Sequence, residues 1–313
     1  MKVWNSIETA EAAVRADQSQ TAVTIGNFDG VHRGHQAIMA KVIEFAKAYQ
    51  LFAIVLTFSN HTDSILGETP PLINTPAIRQ ALLAAQGVDA LLEVEFNSGL
   101  ANLEPAEFFE KWLIQRLHAQ AIVIGHDFRF GSGGKGDFQL LTELCQQYHI
   151  RLERVPPVNE DGLVISSSVI RQCLLAGELE KANRFLGYSF RIEAEVVAGE
   201  QRGRKMGFPT ANLQLEKGYL LPCYGVYLVQ MLIDGQRIYG VANVGLKPTF
   251  DGKIPLVEVY LLDVTMNLYH RIVRVEFLHF IRPEVRFNNM EDLQIQIQQD
   301  VQMARKLIAT EHA

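Results

Sequence analysis

The hydrophobic rhythm of the chain changes once, near Gly187, and this change restricts the fold more than any other feature. Upstream, runs that are apolar along most of their length (Ala22–Ile25, Phe52–Thr57, Ala90–Val94, Ala121–Ile124, Leu152–Val155) alternate with stretches of helical length, His35–Tyr49, Pro76–Gln86, Pro105–Leu117 and Phe138–Tyr148. Strands apolar on both faces and separated by helices predict a parallel sheet covered on both sides. Such a sheet takes its ligands at the carboxyl ends of its strands. Downstream, apolar residues recur at every second position through Arg191–Val197, Val226–Ile233, Arg237–Val244, Val257–Leu262 and Arg271–Phe280. That is the pattern of half-buried antiparallel strands. Asp234-Gly235 reads as a tight hairpin turn between two of them. The last segment predicts a helix capped by Asn289, with Asp292 three residues on and Leu293, Ile297, Val301, Ala304 and Ile308 along one face. The expectation is a Rossmann-like α/β unit over residues 1–186, a short hinge near 185–190, and an antiparallel β-barrel or sandwich with a terminal helix over 187–313.

Composition narrows the functional class. The 313 residues suit two domains of roughly 150 residues each. Lys and Arg number 29 against 35 Asp and Glu, a net charge of −6. A protein that grips nucleic acid through its phosphates carries a basic excess or stripe, so no nucleic-acid partner is expected. The apolar run Leu51–Leu56 is far shorter than the roughly 20 residues of a membrane span. Glu8 and Glu11 interrupt the stretch where a signal peptide needs an unbroken apolar core. Cys145, Cys173 and Cys223 lack metal-site spacing and read as reduced thiols. A cytoplasmic protein with no membrane partner is expected, and no feature of the sequence sets an oligomeric state.

Four blocks carry chemistry. Gly26–His35, GNFDGVHRGH, follows one predicted strand and opens a predicted helix. Gly26, Gly30 and Gly34 let backbone approach a ligand, and the free N–H groups of a helix start favour anions. His32 and His35, three apart, fall on one side of a first helical turn, where two imidazoles can stabilise charge on a departing phosphate. The plainer alternative is that one histidine caps the turn and the other packs. Ser166, Ser167 and Ser168 offer hydroxyls at a helix start, with Arg171 one turn later as a phosphate grip; a simple N-cap is the alternative. In Gly203–Asn212, GRKMGFPTAN, the Thr210 hydroxyl and Asn212 amide oxygen are hard ligands of the kind Mg²⁺ accepts, or the segment is merely a turn into a strand. Glu258 alternates with Val257 and Val259, so it faces away from them, either as a proton acceptor or toward solvent.

These blocks, in this order, resemble the bacterial bifunctional riboflavin kinase/FMN adenylyltransferases. The resemblance implies a nucleotidylyltransferase fold followed by a barrel, with riboflavin, FMN and ATP as substrates and Mg²⁺ as cofactor. It implies that Gly26, Asn27, Phe28, Gly30 and Gly34 line a nucleotide and that His32, His35 and Arg171 neutralise charge during adenylyl transfer. Gly125–Gly131, GHDFRFG, resembles the family's G-x-[ND]-F-x-F-G block, implying Gly125 beside nucleotide and Asp127, Phe128 and Phe130 beside flavin. Ile165–Arg171, ISSSVIR, resembles I-S-S-T-x-I-R, which closes on the ATP phosphates. Gly199, Gly203 and Gly207, at spacing four, suit a flexible flap over phosphates; the G-F-P-T-A-N match implies Thr210 and Asn212 as Mg²⁺-nucleotide ligands, and the family resemblance implies Glu258 as the base on the riboflavin 5′-hydroxyl. Arg282 and Phe287, in IRPEVRF, resemble the segment closing over the flavin.

Departures accompany the match. Where the family usually has T-F-x-P-H-P, Thr57–Thr62 reads TFSNHT, with Asn60 and Thr62 replacing both prolines, and a loop of different stiffness is expected. Lys247 stands where Asn is frequent, and NLYH, with Asn267 and His270, where D-L-Y-G is usual. Because the chain is acidic, attraction of anionic substrates is expected from Arg33, Arg129, Lys135, Arg171 and Arg204. Two other readings stay open: the same nucleotidylyl fold serving nicotinamide mononucleotide or phosphopantetheine, and a nucleotide- or RNA-binding regulator with inactive sites. The barrel block argues against the first, and the intact histidines, Thr210, Asn212 and Glu258 against the second.

Overall fold

Six parallel strands lie in the order β1-β4-β3-β2-β5-β6. They are β1 (Lys2–Trp4), β2 (Thr21–Ile25), β3 (Phe52–Phe58), β4 (Ala90–Val94), β5 (Ala119–Gly125) and β6 (Arg151–Val155). The computed structural model describes residues 1–63, 69–199, 203, 207–249, 252–287 and 289–311. Every residue of β2 and β4 is buried, as strands covered on both faces require. The helices of this unit are α1 (Ile7–Ala16), α2 (Arg33–Tyr49), α3 (Pro76–Gln86), the single turns α4 (Ser98–Ala101) and α5 (Pro105–Phe108), and α6 (Phe138–Gln147). One core gathers Trp4, Val23, Ile54, Leu92, Phe109, Ile122 and Leu141. Val42 and Ala46 of α2 cover the opposite side with Ala22, Ala53, Ala121 and Val123. The predicted helix over Pro105–Leu117 is present, but Phe109–Arg116 winds as a wider π-helix, its end closed by the Leu117 N–H donating to the Trp112 carbonyl five residues back. A short hairpin, β7 (Asn159–Glu160) with β8 (Leu163–Val164), follows β6.

The order of β1 to β6 contains a reversal. From β2 the chain steps outward through β3 to β4, and then returns to place β5 on the other flank of β2. Crevices open at such points, outside the carboxyl ends of the two diverging strands. Here those ends are Ile25 and Gly125.

The chain divides into two compact units, Met1–Leu72 with Pro76–Ser167, and Ile73–Thr75 with Ser168–Ala313. In the second, β9 (Arg191–Val197), β10 (Thr210–Gln214), β11 (Gly225–Ile233), β12 (Gln236–Thr249), β13 (Gly252–Leu261) and β14 (Ile272–Pro283) close an antiparallel barrel in the order β10-β13-β12-β11-β14-β9. Asp234 and Gly235 both take positive φ, 51° and 78°, as the two-residue hairpin turn demands. His270, where glycine is usual in the resembled family, also has φ 63°, a conformation histidine tolerates better than most residues.

Helix α7 (Ser167–Ala176) begins at the division, and α8 (Leu179–Leu186) packs on the barrel. Asn183 of α8 donates to the Phe277 carbonyl at 2.9 Å and accepts the Phe190 N–H at 2.7 Å. The terminal helix α9 (Met290–Glu311) starts as expected, the Asn289 carboxamide oxygen accepting the Asp292 N–H at 2.8 Å. Its Ala304, Val301 and Ile308 cover an outer patch of the barrel built on Val226, Leu228 and Val241.

Asn183→Ala would leave a donor and an acceptor of the buried Phe190 and Phe277 backbone without partners. A loss of about 2 kcal/mol is expected, read as a lower calorimetric transition for the barrel unit.

Candidate active sites

The turn between β2 and α2 sits at the strand-order reversal and is held in unusual geometry. Phe28, Gly30 and Val31 have φ of 47°, 81° and 34°. Glycine adopts such values freely, but at a β-branched valine they cost on the order of 1–3 kcal/mol. The surroundings hold the shape. The Val31 N–H donates to the Phe28 carbonyl at 3.1 Å, the Gln36 side chain donates to the Val31 carbonyl at 2.9 Å, and both Phe28 and Val31 are buried.

His32 is the N-cap of α2, its Nδ1 accepting the His35 N–H at 3.4 Å. The two imidazoles stack 3.6 Å apart, with Phe28 edge-on to His35. The close approach requires Gly34, because a Cβ there would lie 3.0 Å from the His32 ring. His35 keeps part of its side chain accessible, yet Nδ1 is fully enclosed and has no protein partner. Burial, and then the neighbouring His32 charge, hold the His35 imidazole well below its ordinary range. His35 is therefore neutral near pH 7, able to donate or accept a hydrogen bond. The Asn27 side-chain oxygen is likewise buried without a partner, and an unfilled acceptor at a site calls for a ligand or water.

The other residues expected to act with this turn have the following surroundings. The Ser167 hydroxyl donates to the Asp29 carbonyl at 2.8 Å, tying the start of α7 to the turn. Ser166 and Arg171 are half-buried and Ser168 is exposed. Gly125 ends β5. The Asp127 side chain is 81% exposed, whereas Phe130 is buried in the core and Phe128 stacks on it at 5.7 Å. Asn60 and Thr62 both form hydrogen bonds: Asn60 exchanges two with the Phe96 backbone, at 2.8 and 2.9 Å, and the Thr62 hydroxyl accepts the Asn27 amide at 3.0 Å. Of the cations expected to draw substrate, Arg33 pairs with Glu160, Lys135 with Glu104 and Arg129 with Asp137, so their charge is locally compensated; Arg204 lies outside the described residues.

The second site is on the outer wall of the barrel. Strand alternation sends Val257 and Val259 into the fully buried interior and Glu258 outward. Glu258 is directly opposite Asn212 on β10 and Asn243 on β12, so three polar side chains line up across adjacent strands at cross-strand contact spacing. Thr210, two residues before Asn212, shares their face. They open into a cavity of about 610 Å³, floored by the barrel and walled by Arg282, Phe287, and Leu293 and Ile297 of α9, a size suited to a small organic ligand. Arg282 is committed to Asp300 of α9, which it grips through both carboxylate oxygens at 2.8 Å, with the Phe287 ring 5.9 Å from the guanidinium. Gly203 lines the cavity and Gly207 takes φ 86°. No group of three or more His, Cys, Asp or Glu side chains suited to a metal occurs among the described residues. The Thr210 and Asn212 oxygens fit Mg²⁺ only as a partial set completed by phosphate and water.

Asn243, Glu284 and Asp300 line the cavity but were not anticipated as site residues. The signal for Asp300 is a carboxylate on the apolar stripe that includes Ile297, Val301 and Ala304. For Asn243 it is the register opposite Glu258, which no residue spacing reveals.

Known proteins decide the family. The FAD synthetase family matches residues 14–169 and the riboflavin kinase family matches residues 186–308. The bifunctional riboflavin kinase/FMN adenylyltransferase of Pseudomonas fluorescens is 40% identical over 299 residues, 95% of this chain and 96% of its own. The chain belongs to the bifunctional riboflavin kinase/FMN adenylyltransferase family. The Escherichia coli K12 member is 37% identical over 295 residues, 93% of this chain and 94% of its own. A solved structure described as a macrolide-efflux protein from Streptococcus pneumoniae shares the fold with a TM-score of 0.85 at 34% identity, over 92% of this chain and 94% of its own. Among the described residues no helix is long and apolar enough to cross a membrane. The activities of this chain are phosphorylation of riboflavin to FMN and ATP-dependent adenylyl transfer to FMN, giving FAD.

Two outcomes follow from the geometry. A Cβ at Gly199 would collide with the Asn212 carboxamide, so Gly199→Ala should lower riboflavin phosphorylation at least tenfold while FAD formation from supplied FMN is unchanged, both read by chromatography of the flavins. The depressed His35 pKa means that the unfolded chain takes up a proton below about pH 6.5 that the folded unit refuses. Stability of the first unit should therefore fall as pH drops through that range. Fluorescence of Trp4 and Trp112, both in that unit, should report a falling melting temperature that His35→Gln flattens.

Proposed function

We propose that residues 1–186 carry out adenylyl transfer at the His32–His35 turn and residues 187–313 carry out riboflavin phosphorylation at the Glu258 cavity. The observation that carries the second assignment is the row Asn212–Glu258–Asn243 beside Thr210, an acidic group next to hard oxygen donors. Glu258 accepts the proton of the riboflavin 5′-hydroxyl as its oxygen forms a bond to the γ-phosphorus of ATP and the bond to ADP breaks. Thr210 and Asn212 would hold Mg²⁺ together with the nucleotide phosphates. The ion supplies charge neutralisation on those phosphates. Gly203 and Gly207 belong to the covering flap, and Phe287 packs over the flavin while Arg282, fixed by Asp300, supports it.

At the first site a phosphate oxygen of FMN forms a bond to the α-phosphorus of a second ATP, and pyrophosphate leaves. The turn Gly26–Gly34, with Asn27, Phe28 and Gly30, cradles the nucleotide phosphates. His32 and neutral His35 hydrogen-bond the oxygens on which charge grows. Ser166 to Ser168 and Arg171 are assigned to the same phosphates, Gly125 to the nucleotide, and Asp127 and Phe128 to the flavin, with Phe130 as the base on which Phe128 stacks. Positioning and charge compensation suffice, and no covalent enzyme intermediate is needed. We place the protein in the cytoplasm, where ATP is available, without nucleic-acid or membrane partners.

Purified protein incubated with riboflavin, ATP and Mg²⁺ should form FMN and then FAD. His32→Ala and His35→Ala should each lower FAD formation by roughly 10²-fold with FMN formation intact. Glu258→Ala should lower FMN formation by roughly 10²–10⁴-fold with adenylylation of supplied FMN intact. FAD synthesis unaffected by both histidine changes would remove the first assignment.

A further inference from the structure

Arg79 of α3 and Glu93 of β4 are the one charged residue of each element, and both are buried, at 6% and 8% exposure. The Arg79 Nη2 donates to Glu93 Oε1 at 2.5 Å and to the Phe58 carbonyl at 2.7 Å, and Nη1 donates to the Asn27 carbonyl at 3.2 Å. The other Glu93 oxygen accepts from Gln80 at 3.0 Å. A second donor, the Thr57 hydroxyl, reaches the Asn27 carbonyl at 3.2 Å. One planar cation thus joins the last residue of β3 to the first peptides of the turn after β2, both at the carboxyl edge of the sheet. A well-packed apolar pair would stabilise such a place at least as well as a buried ion pair. What the guanidinium adds is direction, a fork holding two backbone carbonyls at once.

We propose that Arg79, oriented by Glu93, is a positioning residue for adenylyl transfer. It pins the Asn27 carbonyl, and with it the left-handed run through Phe28, Gly30 and Val31 that aims the turn and the His32–His35 pair. Without the pin, the Asn27 carbonyl keeps only the Thr57 hydroxyl, and the Asn27–Phe28 peptide is held less firmly in the shape the turn requires. The proposal rests on the assignment of adenylyl transfer to this turn.

The test compares wild type, Arg79→Met and Arg79→Lys in the full chain, following FAD formation from supplied FMN and, as an internal control, FMN formation from riboflavin. Arg79→Met should lower kcat for adenylyl transfer at least tenfold, change KM for ATP less than threefold, and leave riboflavin phosphorylation within twofold. Arg79→Lys, which keeps the charge facing Glu93 but lacks the fork, should fall between. Hydrogen exchange in peptides covering residues 26–35 should quicken in both variants while β2 and β5 stay protected. Should Arg79→Met fail to fold, Arg79→Lys decides, its expected loss of kcat being at least threefold at an unchanged melting temperature. Adenylyl transfer within threefold of wild type in Arg79→Met, or protection lost evenly across the sheet, would overturn the proposal. A wild-type protein that forms FMN but no FAD would instead overturn the assignment on which it rests.

Discussion

The reversal of strand order beside β2 is the constraint on which the first site depends. Hydrogen bonding to β3 on one flank and β5 on the other sends the two connections apart. The space left at Ile25 and Gly125 cannot be filled by a helix that crosses the sheet. The chain fills it with backbone instead, a turn whose residues take conformations that an isolated peptide would avoid. Parallel sheets with their faces covered by helices offer few other openings, so ligand chemistry in this unit has one natural place. The local cost of the turn is offset by what surrounds it: the buried Phe28 and Val31, the Gln36 clasp, and the Ser167 bond to Asp29.

The barrel solves a different problem. Closure leaves no free sheet edge, and its interior is packed with the buried side chains of Tyr227, Phe277, Val257 and Val259. Polar chemistry is therefore placed on the outer wall, and period-two alternation is enough to put it there. Helix α9 does two jobs along its length. Its later turns cover apolar wall with Ala304 and Ile308, whereas its earlier turns leave a gap that becomes the cavity. The pair between half-buried Arg282 and buried Asp300 fixes the helix where covering changes to opening.

Much of this arrangement could be read from residue order. Pro76–Gln86, Ala90–Val94 and Arg191–Val197 coincide with their elements from end to end, because each is bounded by a sharp change of chemistry. The strand Thr210–Gln214 was not evident, since its outward positions are polar and only Leu213 is fully buried. β1 is too short to show a period. The glycine–histidine turn, Thr210, Asn212 and Glu258 were legible as motifs, and the structure gathers each set on one surface. The supports were not legible in the same way, because a partner far along the chain leaves no local spacing. Arg79, Glu93 and Asp300 nevertheless announce themselves as charges in apolar company, which burial forbids without a partner. Arg33, Arg129 and Lys135 show the converse: a basic residue near a motif need not serve it, since a nearby carboxylate takes up its charge.

Asn60 and Thr62, standing where the resembled family usually carries prolines, change the character of one loop. A pyrrolidine ring restricts the chain whether or not it is folded, and it narrows the unfolded ensemble as well. The Asn60 clasp on Phe96 and the Thr62 contact to Asn27 restrict only the folded state. Order at Asn60 and Thr62 is thereby lent by distant partners, where a ring would have supplied it from within the chain itself.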